Sequence, residues 1–266
     1  MIKLGVNSVL FQGHDLATAM KHIAWAAYEG IELSAIKGMC EHLDLDNWKR
    51  DVQSIKAMAA DNKLALLSME VASLEEDRLM KAFEAGAAIG IPVINVGPGG
   101  KADVEDDFNK QTDIPASMAV MAASFGVTLC CKAHVGGSIY NTPTTLRAMK
   151  RITAPAFGID MDPSHIYRAG EAPEEALPPV LSRVRHIHFR DCKGRGPGPG
   201  EPRDQACGRG DMNLFGYCKA MVDGKYDGPA CLEVIGAGNY ELGQRDIIAA
   251  ESYGYMNACL KMLGAR

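Results

Sequence analysis

Long hydrophobic runs are absent from the 266-residue sequence, and so is any compact cysteine framework. No apolar stretch approaches the roughly 20 residues of a membrane-spanning helix. The first residues lack the charged start, the long apolar stretch and the cleavage site of a signal peptide. The eight cysteines form no C-x-x-C pair, which indicates reduced thiols. We therefore expect a soluble, cytoplasmic protein without a membrane partner.

Positive charge is scarce relative to negative charge. The chain has 28 lysines and arginines against 33 aspartates and glutamates, which gives a net charge of -5 at pH 7. Proteins that bind the phosphate backbone normally present a basic face, so we expect no nucleic-acid partner. Cleavage of damaged DNA is a poor hypothesis for the same reason, and seven histidines are few for a multinuclear metal site.

Strand-like and helix-like stretches alternate along the whole chain. The predicted strands are residues 2–6, 31–33, 64–68, 91–96, 127–132, 157–161, 184–189 and 230–234. The predicted helices are residues 16–29, 46–62, 74–88, a long helix ending at 125, 142–151, 171–181, 212–223 and 242–263. Such a series predicts that residues 1–266 form one domain, an α/β protein with the (β/α)8 TIM barrel fold. An open doubly wound sheet is the alternative, but its G-x-G-x-x-G turn is absent after the first strand.

Four predicted strands lead to residues that can bind a metal or carry a proton: Lys132, Asp162, His188 and Glu233. In such a barrel the carboxyl ends of the strands form the catalytic face, so these side chains should converge. Aspartate, histidine and glutamate together make an oxygen and nitrogen donor set that suits Mn²⁺, Mg²⁺, Co²⁺ or Zn²⁺. Lys132 is the exception, because an ammonium group binds a metal only after it loses its proton.

Six regions of the chain carry a resemblance to a known family. They are Gly30-Ile31-Glu32-Leu33, Lys132-Ala133-His134-Val135-Gly136, Asp162-Pro163-Ser164-His165, His186-Ile187-His188-Phe189-Arg190-Asp191, Gly208-Arg209-Gly210-Asp211, and Tyr226-Asp227-Gly228 with Leu232-Glu233. Over nearly its whole length the chain resembles the xylose-isomerase-like TIM barrels of the sugar phosphate isomerase/epimerase family. That superfamily includes sugar isomerases, ketose 3-epimerases, inosose dehydratase and, more distantly, apurinic endonucleases.

The resemblance implies a set of metal ligands. Family members typically bind one divalent metal through a glutamate, an aspartate, a histidine and a glutamate on strands five to eight. The residues at these positions are Lys132, Asp162, His188 and Glu233, so three match and Lys132 departs.

The departure at Lys132 leaves two interpretations of the site. In the first, a metal, with Mn²⁺ favoured, is bound by Asp162, His188 and Glu233, and Lys132 carries a proton because the metal lowers its pKa. In the second, the Lys132 ammonium replaces the metal, neutralises Asp162 and Glu233, and polarises the substrate itself. We favour the first interpretation.

These residues predict removal of a proton next to a carbonyl in a small polyhydroxylated substrate. Glu233 would abstract the proton, and His165 or Lys132 would return one. We therefore predict a sugar or keto-sugar isomerase or epimerase. Two alternatives stay open: a lyase or dehydratase that acts on a keto-sugar or inosose at the same site, and a catalytically inactive barrel that binds a sugar.

Further residues are candidates for substrate contact. His134 follows strand five and either touches the substrate or orders the glycines after it. Glu32 ends strand two and binds either a sugar hydroxyl or a nearby basic side chain. Arg195 and Arg203 belong to the glycine- and proline-rich segment 193–203, whose length predicts a lid. The family resemblance is compatible with a homodimer or homotetramer.

Overall fold

The computed structural model describes residues 1–266, and nine strands form its single sheet. The strands are β1 (Lys3–Asn7), β2 (Gly30–Ile36), β3 (Cys40–Glu41), β4 (Ala65–Glu70), β5 (Val93–Val96), β6 (Thr128–Lys132), β7 (Phe157–Met161), β8 (Val184–Phe189) and β9 (Pro229–Leu232). All except β3 run parallel to their neighbours, and β1 pairs with both β2 and β9, which closes the barrel. The short β3 pairs antiparallel with the end of β2. The predicted (β/α)8 TIM barrel is confirmed.

Nine α-helices connect the strands or follow them. They are α1 (Leu16–Trp25), α2 (Trp48–Asp61), α3 (Glu76–Ile89), α4 (Glu105–Ser124), α5 (Thr142–Arg151), α6 (Pro163–Arg168), α7 (Pro173–Val180), α8 (Leu214–Asp223) and α9 (Leu242–Met262). The start of α5 illustrates the local signals, because Asn141 accepts a hydrogen bond from Thr144 N and Pro143 lies in the first turn. None of the helices combines the length and the hydrophobicity that a membrane crossing needs.

The hydrophobic core contains 67 buried residues and extends from Ile2 to Leu260. Helices cover the outer side of the barrel, so its strands are buried on both faces, as parallel strands usually are. All five residues of β7, for example, are buried. Polar side chains inside the barrel bond to one another, and Ser68 Oγ lies 2.9 Å from His186 Nε2. His186 is therefore part of the packed interior.

Two local differences from the predicted elements shape the catalytic face. Strand β4 continues to Glu70, beyond the predicted end at residue 68, and so adds a carboxyl group there. The helix α6 begins directly after Asp162, where no helix was predicted. Asp162 accepts a hydrogen bond from Ser164 N, and Pro163 occupies the first turn, so both residues favour a helix start. Helix α6 places His165 at the cavity described below.

Gly30 lies where the barrel wall is too tight for a side chain. A Cβ atom there would meet the Leu67 side chain at 2.5 Å and the Ala65 carbonyl oxygen at 2.8 Å. Gly30→Ala should therefore destabilise the fold by about 1–3 kcal/mol, the usual cost of overpacking. Gly254→Ala in α9, where nothing lies within 4 Å, is the matched control and should stabilise the helix by up to about 1 kcal/mol. Urea unfolding measures both effects, and an unchanged midpoint for Gly30→Ala would contradict this packing.

Candidate active site

A cavity of about 670 Å³ opens at the carboxyl ends of the strands. Five lining residues, each at most 4% exposed, are termed here the charged floor: Glu70, Lys132, His165, Arg190 and Glu233. Loop residues form most of the remaining wall, chiefly the glycine-rich turns 97–100 and 136–137 and residues 197–199. A concave site of this size at this face of a barrel is the expected place for a small substrate.

Lys132, the last residue of β6, bridges two carboxyl groups of the charged floor. Its Nζ donates to Glu70 Oε1 at 2.8 Å and to Glu233 Oε1 at 2.9 Å. Burial alone would lower the pKa of Lys132, but the carboxyl groups of Glu233 and Glu70 outweigh burial and hold the pKa well above its usual value. Lys132 is therefore a fixed cation at neutral pH rather than a proton carrier. Its third N–H remains for a ligand.

Glu70 and Glu233 share the Lys132 ammonium but differ in ionisation. Burial and the neighbouring Glu233 carboxylate raise the pKa of Glu70 to about 8. Burial also disfavours the charge on Glu233, yet His188 and Lys132 outweigh burial and hold its pKa well below the usual value. At neutral pH Glu233 is ionised and Glu70 holds a proton, so the pair offers a base and an acid side by side. Glu233 Oε2 is buried and accepts no hydrogen bond.

Arg190 follows β8 and brings a second fixed cation to the charged floor. Its Nη2 donates to Asp162 Oδ2 at 2.8 Å and lies 3.1 Å from Glu233 Oε2, close but without hydrogen-bond alignment. Its Nε donates to Ser164 Oγ at 2.9 Å. The guanidinium therefore lies between two of the carboxylates that the sequence predicted as metal ligands.

His165 lies between the charged floor and Arg168. Its Nδ1 accepts a hydrogen bond from Arg168 Nη2 at 2.8 Å and another from Val135 N at 3.2 Å. Arg190 Nη2 lies 3.1 Å from Nε2, so both ring nitrogens face guanidinium donors. Burial and the nearby Arg190 guanidinium hold the pKa of His165 well below its usual value, so the ring stays neutral. The neutral His165 ring is therefore held between the guanidinium groups of Arg168 and Arg190.

A further layer of charge lies beneath the charged floor. His188 Nε2 donates to Glu32 Oε2 at 2.6 Å, and His188 Nδ1 lies 2.7 Å from Asp160 Oδ2. Burial alone would lower the pKa of His188, but Asp160 and Glu233 outweigh burial and raise the pKa well above its usual value. The His188 ring is therefore a cation whose two nitrogens both face carboxylates.

The structure brings together buried groups of the kind that can hold a metal. Ligand atoms of Asp162, His188 and Glu233, the predicted set, lie within 4.8 Å of one another. Ligand atoms of Glu32, Glu70 and His188 do so as well. Convergence of the three predicted donors follows from their positions at or just beyond the ends of adjacent parallel strands.

These donors nevertheless do not fit a divalent ion, because side-chain cations already bind the two carboxylates of the set, Asp162 and Glu233. His188 Nε2 is hydrogen-bonded to Glu32 Oε2, and His188 Nδ1 lies 2.7 Å from Asp160 Oδ2 without a hydrogen bond. Arg190 Nη2 lies between Asp162 and Glu233, and Lys132 binds the other oxygen of Glu233. A divalent ion would therefore meet three positive groups at close range, where like charges repel strongly. The positive charge of this site comes from side chains.

The other residues predicted to contact substrate differ in position. His134 lines the cavity, and its ring lies against that of His165 with centroids 3.9 Å apart. Glu32 lies below the charged floor, where it accepts from Asn95 Nδ2 at 2.6 Å and has no exposed surface. His134 can therefore touch a substrate, whereas Glu32 does not reach the cavity and instead holds His188.

The two predicted loop arginines lie outside the cavity. Arg195 packs its guanidinium 3.9 Å from the centroid of the Tyr167 ring. The Arg203 side chain is 69% exposed, and its nearest acidic group is Asp204 at 3.9 Å. Residues 197–199 of the same segment do line the cavity, so the segment covers part of the site without its arginines. Its function as a lid stays a prediction.

Sequence reasoning missed two residues of the charged floor, Glu70 and Arg190. Glu70 follows Ser68 at the two-residue spacing that keeps side chains on one face of a strand, and that spacing was the available signal. Arg190 lies directly after the end of β8 and follows the two histidines of that strand, His186 and His188. No local pattern distinguishes Arg190 from a solvated arginine.

A closed parallel barrel with buried charged groups at the carboxyl ends of its strands defines the (β/α)8 class of protein. The family model described as xylose isomerase-like TIM barrel matches residues 20–259. The chain therefore belongs to the xylose isomerase-like TIM barrel family. No curated protein matches it by sequence.

Solved structures share the fold at low sequence identity. One is a D-psicose 3-epimerase with D-tagatose from Clostridium cellulolyticum H10, with a TM-score of 0.80 and 14% identity over 97% of this chain and 99% of that chain. Another is a probable 3-DHS dehydratase from Bacillus anthracis, with a TM-score of 0.76 and 17% identity over 94% of this chain and 97% of that chain. A third is a xylose isomerase-like TIM barrel/4-hydroxyphenylpyruvate dioxygenase fusion protein, with a TM-score of 0.76 and 16% identity; the match covers 99% of this chain but 45% of that one.

Proposed function

We propose that the protein is a sugar or keto-sugar isomerase or epimerase that moves a proton next to a carbonyl group. The observation that carries the proposal is the Lys132 ammonium, hydrogen-bonded to both Glu70 and Glu233 at the bottom of the cavity. This arrangement offers one substrate a cation, an ionised carboxylate and a protonated carboxyl group. A D-psicose 3-epimerase with the same fold supports the proposal.

The first step forms an enediolate. The third N–H of Lys132 donates to the carbonyl oxygen of the substrate. Glu233 takes the proton from the neighbouring carbon, the C–H electron pair forms the new C=C bond, and the carbonyl π pair moves to oxygen. The negative charge then develops beside Lys132 and Arg190. Fixed charges that are themselves almost fully buried stabilise such a charge strongly.

The second step returns a proton, and Glu70 is its source. Proton return to the opposite face of the same carbon gives the epimer. Return to the former carbonyl carbon gives the isomer, because the proton of the neighbouring hydroxyl passes to the enediolate oxygen and that hydroxyl becomes the new carbonyl. Asn7 Nδ2 donates to Glu70 Oε2 at 2.6 Å and Lys132 binds Oε1, so both donors hold the carboxylate that remains. In this proposal Glu70 returns the proton, a role that the sequence analysis assigned to His165 or Lys132.

A dehydratase is the second candidate, and the proton on Glu70 favours it. Where the substrate carries a hydroxyl group β to the carbonyl, the enediolate expels it, Glu70 donates the proton, and water leaves. Lys132 and Glu233 keep the same roles in this reaction. A probable 3-DHS dehydratase shares the fold.

Deuterium exchange tests both candidates. The protein in D₂O is offered a panel of aldoses, ketoses, inososes and keto-sugar acids, and ¹H NMR follows the carbon-bound proton next to the carbonyl. An isomerase or epimerase incorporates deuterium and forms a second sugar, whereas a dehydratase forms a product that has lost one water. A folded protein that gives neither result with any member of the panel would overturn both candidates and support the inactive sugar-binding barrel.

A further inference from the structure

Above the charged floor, the cavity wall carries one formal charge, the guanidinium of Arg168. The rest of the wall consists of glycine, proline, small or apolar residues and His134. Arg168 ends α6 and is partly buried. It forms no salt bridge, whereas Lys132 and Arg190 each lie within salt-bridge distance of two carboxyl groups.

Three neutral acceptors fix the Arg168 guanidinium in place. Its Nε donates to Ser164 O at 3.2 Å, its Nη1 to Pro197 O at 2.9 Å and its Nη2 to His165 Nδ1 at 2.8 Å. A guanidinium carries five N–H donors, so two are left without a protein acceptor. None of the three partners cancels the positive charge, and a charge held partly out of water is costly without a counter-ion. An anion that enters the cavity therefore gains directly from Arg168.

We infer that the substrate is a keto-sugar acid, whose carboxylate binds Arg168 while its keto group reaches the charged floor. This inference rests on the proposed function. Arg168 Nη2 and Arg190 Nη2 contact opposite nitrogens of the same His165 ring, at 2.8 and 3.1 Å. The anion site and the reaction site are therefore one imidazole ring apart, a distance that a short polyhydroxylated carbon chain can span. A neutral sugar would leave the Arg168 charge unpaired.

A carboxylate fits this position better than a phosphate does. Two N–H groups of one guanidinium match the two oxygens of a carboxylate, which forms short, charge-assisted hydrogen bonds. A phosphate monoester carries about -1.5 to -2 charges at pH 7, and the wall offers no second cation to share them. The glycines at 97, 99, 100, 136 and 137 leave room in the cavity but add no charged side chain.

Binding of unreactive analogues tests the substrate class without turnover. An aldonate and the alditol of the same configuration differ only in the carboxylate, and neither has a keto group that could react. The alditol phosphate is the third ligand and tests whether the site prefers a phosphate. By isothermal titration calorimetry, the wild-type protein should bind aldonates roughly 10- to 100-fold more tightly than alditols, the scale of hydrogen bonds to charged groups. Arg168→Gln should lose this preference and Arg168→Lys should keep part of it. Arg185→Gln is the matched control, an exposed arginine near the opposite end of β8, and should leave the preference unchanged.

Each outcome decides for or against the inference. Equal affinity for aldonates and alditols, a preference that persists in Arg168→Gln, or no binding of any aldonate overturns it. Tighter binding of the alditol phosphate overturns the assignment of a carboxylate. Aldonate binding that depends on Arg168, without deuterium exchange on any keto-sugar acid, supports the anion site and counts against the proposed function. Deuterium exchange on neutral ketoses, without a preference for aldonates over alditols, supports the proposed isomerase or epimerase function and overturns the inference that the substrate is a keto-sugar acid. Thermal melting of each variant confirms that it is folded.

Discussion

Glu233→Gln should abolish most proton exchange next to the substrate carbonyl, with kcat falling by roughly 100- to 10,000-fold, the contribution of a positioned general base. Glutamine keeps the shape of the side chain and can still accept the hydrogen bond from Lys132, but it cannot take a proton from carbon. Because substrate contacts remain, KM should change little. The measurement is the rate of deuterium incorporation by NMR over a range of substrate concentrations.

The Glu233→Gln variant should stay folded, because Glu70 can ionise and supply the negative charge that Glu233 loses. The Glu233 carboxylate is one cause of the raised pKa of Glu70, so its removal lets Glu70 ionise and pair with Lys132. Glu84→Gln is the control, since it removes the same group from an exposed position on α3. A wild-type exchange rate in folded Glu233→Gln would remove Glu233 from the mechanism.

The barrel could be predicted because each strand-and-helix unit repeats the same local signals. The apolar stretch 91–96 contains β5, and Gly90 ends α3 in a left-handed conformation with φ of 95°, which favours glycine. Asn141 and Pro143 mark the start of α5 in the same local way. Such signals depend on neighbouring residues alone, so the order of elements is readable from the sequence.

The approximate location of the site could be predicted for a related reason. Lys132, Asp162 and Glu233 lie at or just past the ends of parallel strands, and these ends meet at one face of a closed barrel whatever the details of packing. The partners of these residues could not be predicted. Lys132 bonds to Glu70 across 62 positions of sequence, and Arg190 bonds to Asp162 across 28.

Irregular strand register is the physical reason for part of this gap. The pairing shifts between Ile31 and Glu32 where β2 meets β4, and again between Ile159 and Asp160 where β7 meets β8. A register shift changes which side chains face each other, and it arises from the fit of whole strands rather than from a local motif. Glu32 and Asp160, which follow these shifts, are the two carboxylates that lie beside the nitrogens of the His188 ring.

Lys132→Met should lower kcat for proton exchange by roughly 100- to 1,000-fold, the loss expected when one donor to a developing oxyanion is removed. Methionine fills much of the same volume but leaves Glu70 and Glu233 without their shared cation. Breaking a buried ion pair on one side costs about 3–5 kcal/mol, so urea unfolding should show a clear loss of stability. Lys150→Met, on the exposed side of α5, is the matched control and should change neither quantity.

Metal content separates the two interpretations of Lys132. Because side-chain cations already bind Asp162 and Glu233, the wild-type protein dialysed against Mn²⁺ should retain little of it, and EDTA should leave the exchange rate unchanged. Lys132→Glu should raise the amount of Mn²⁺ that is retained, since it exchanges a cation for a carboxyl group beside Glu233, and elemental mass spectrometry measures the change. Stoichiometric metal in the wild-type protein that is lost in Asp162→Asn would instead support a metal bound by Asp162, His188 and Glu233. In that case Lys132 and Arg190 would have to leave those carboxylates when the metal binds, and the charge that stabilises the enediolate would come from the ion.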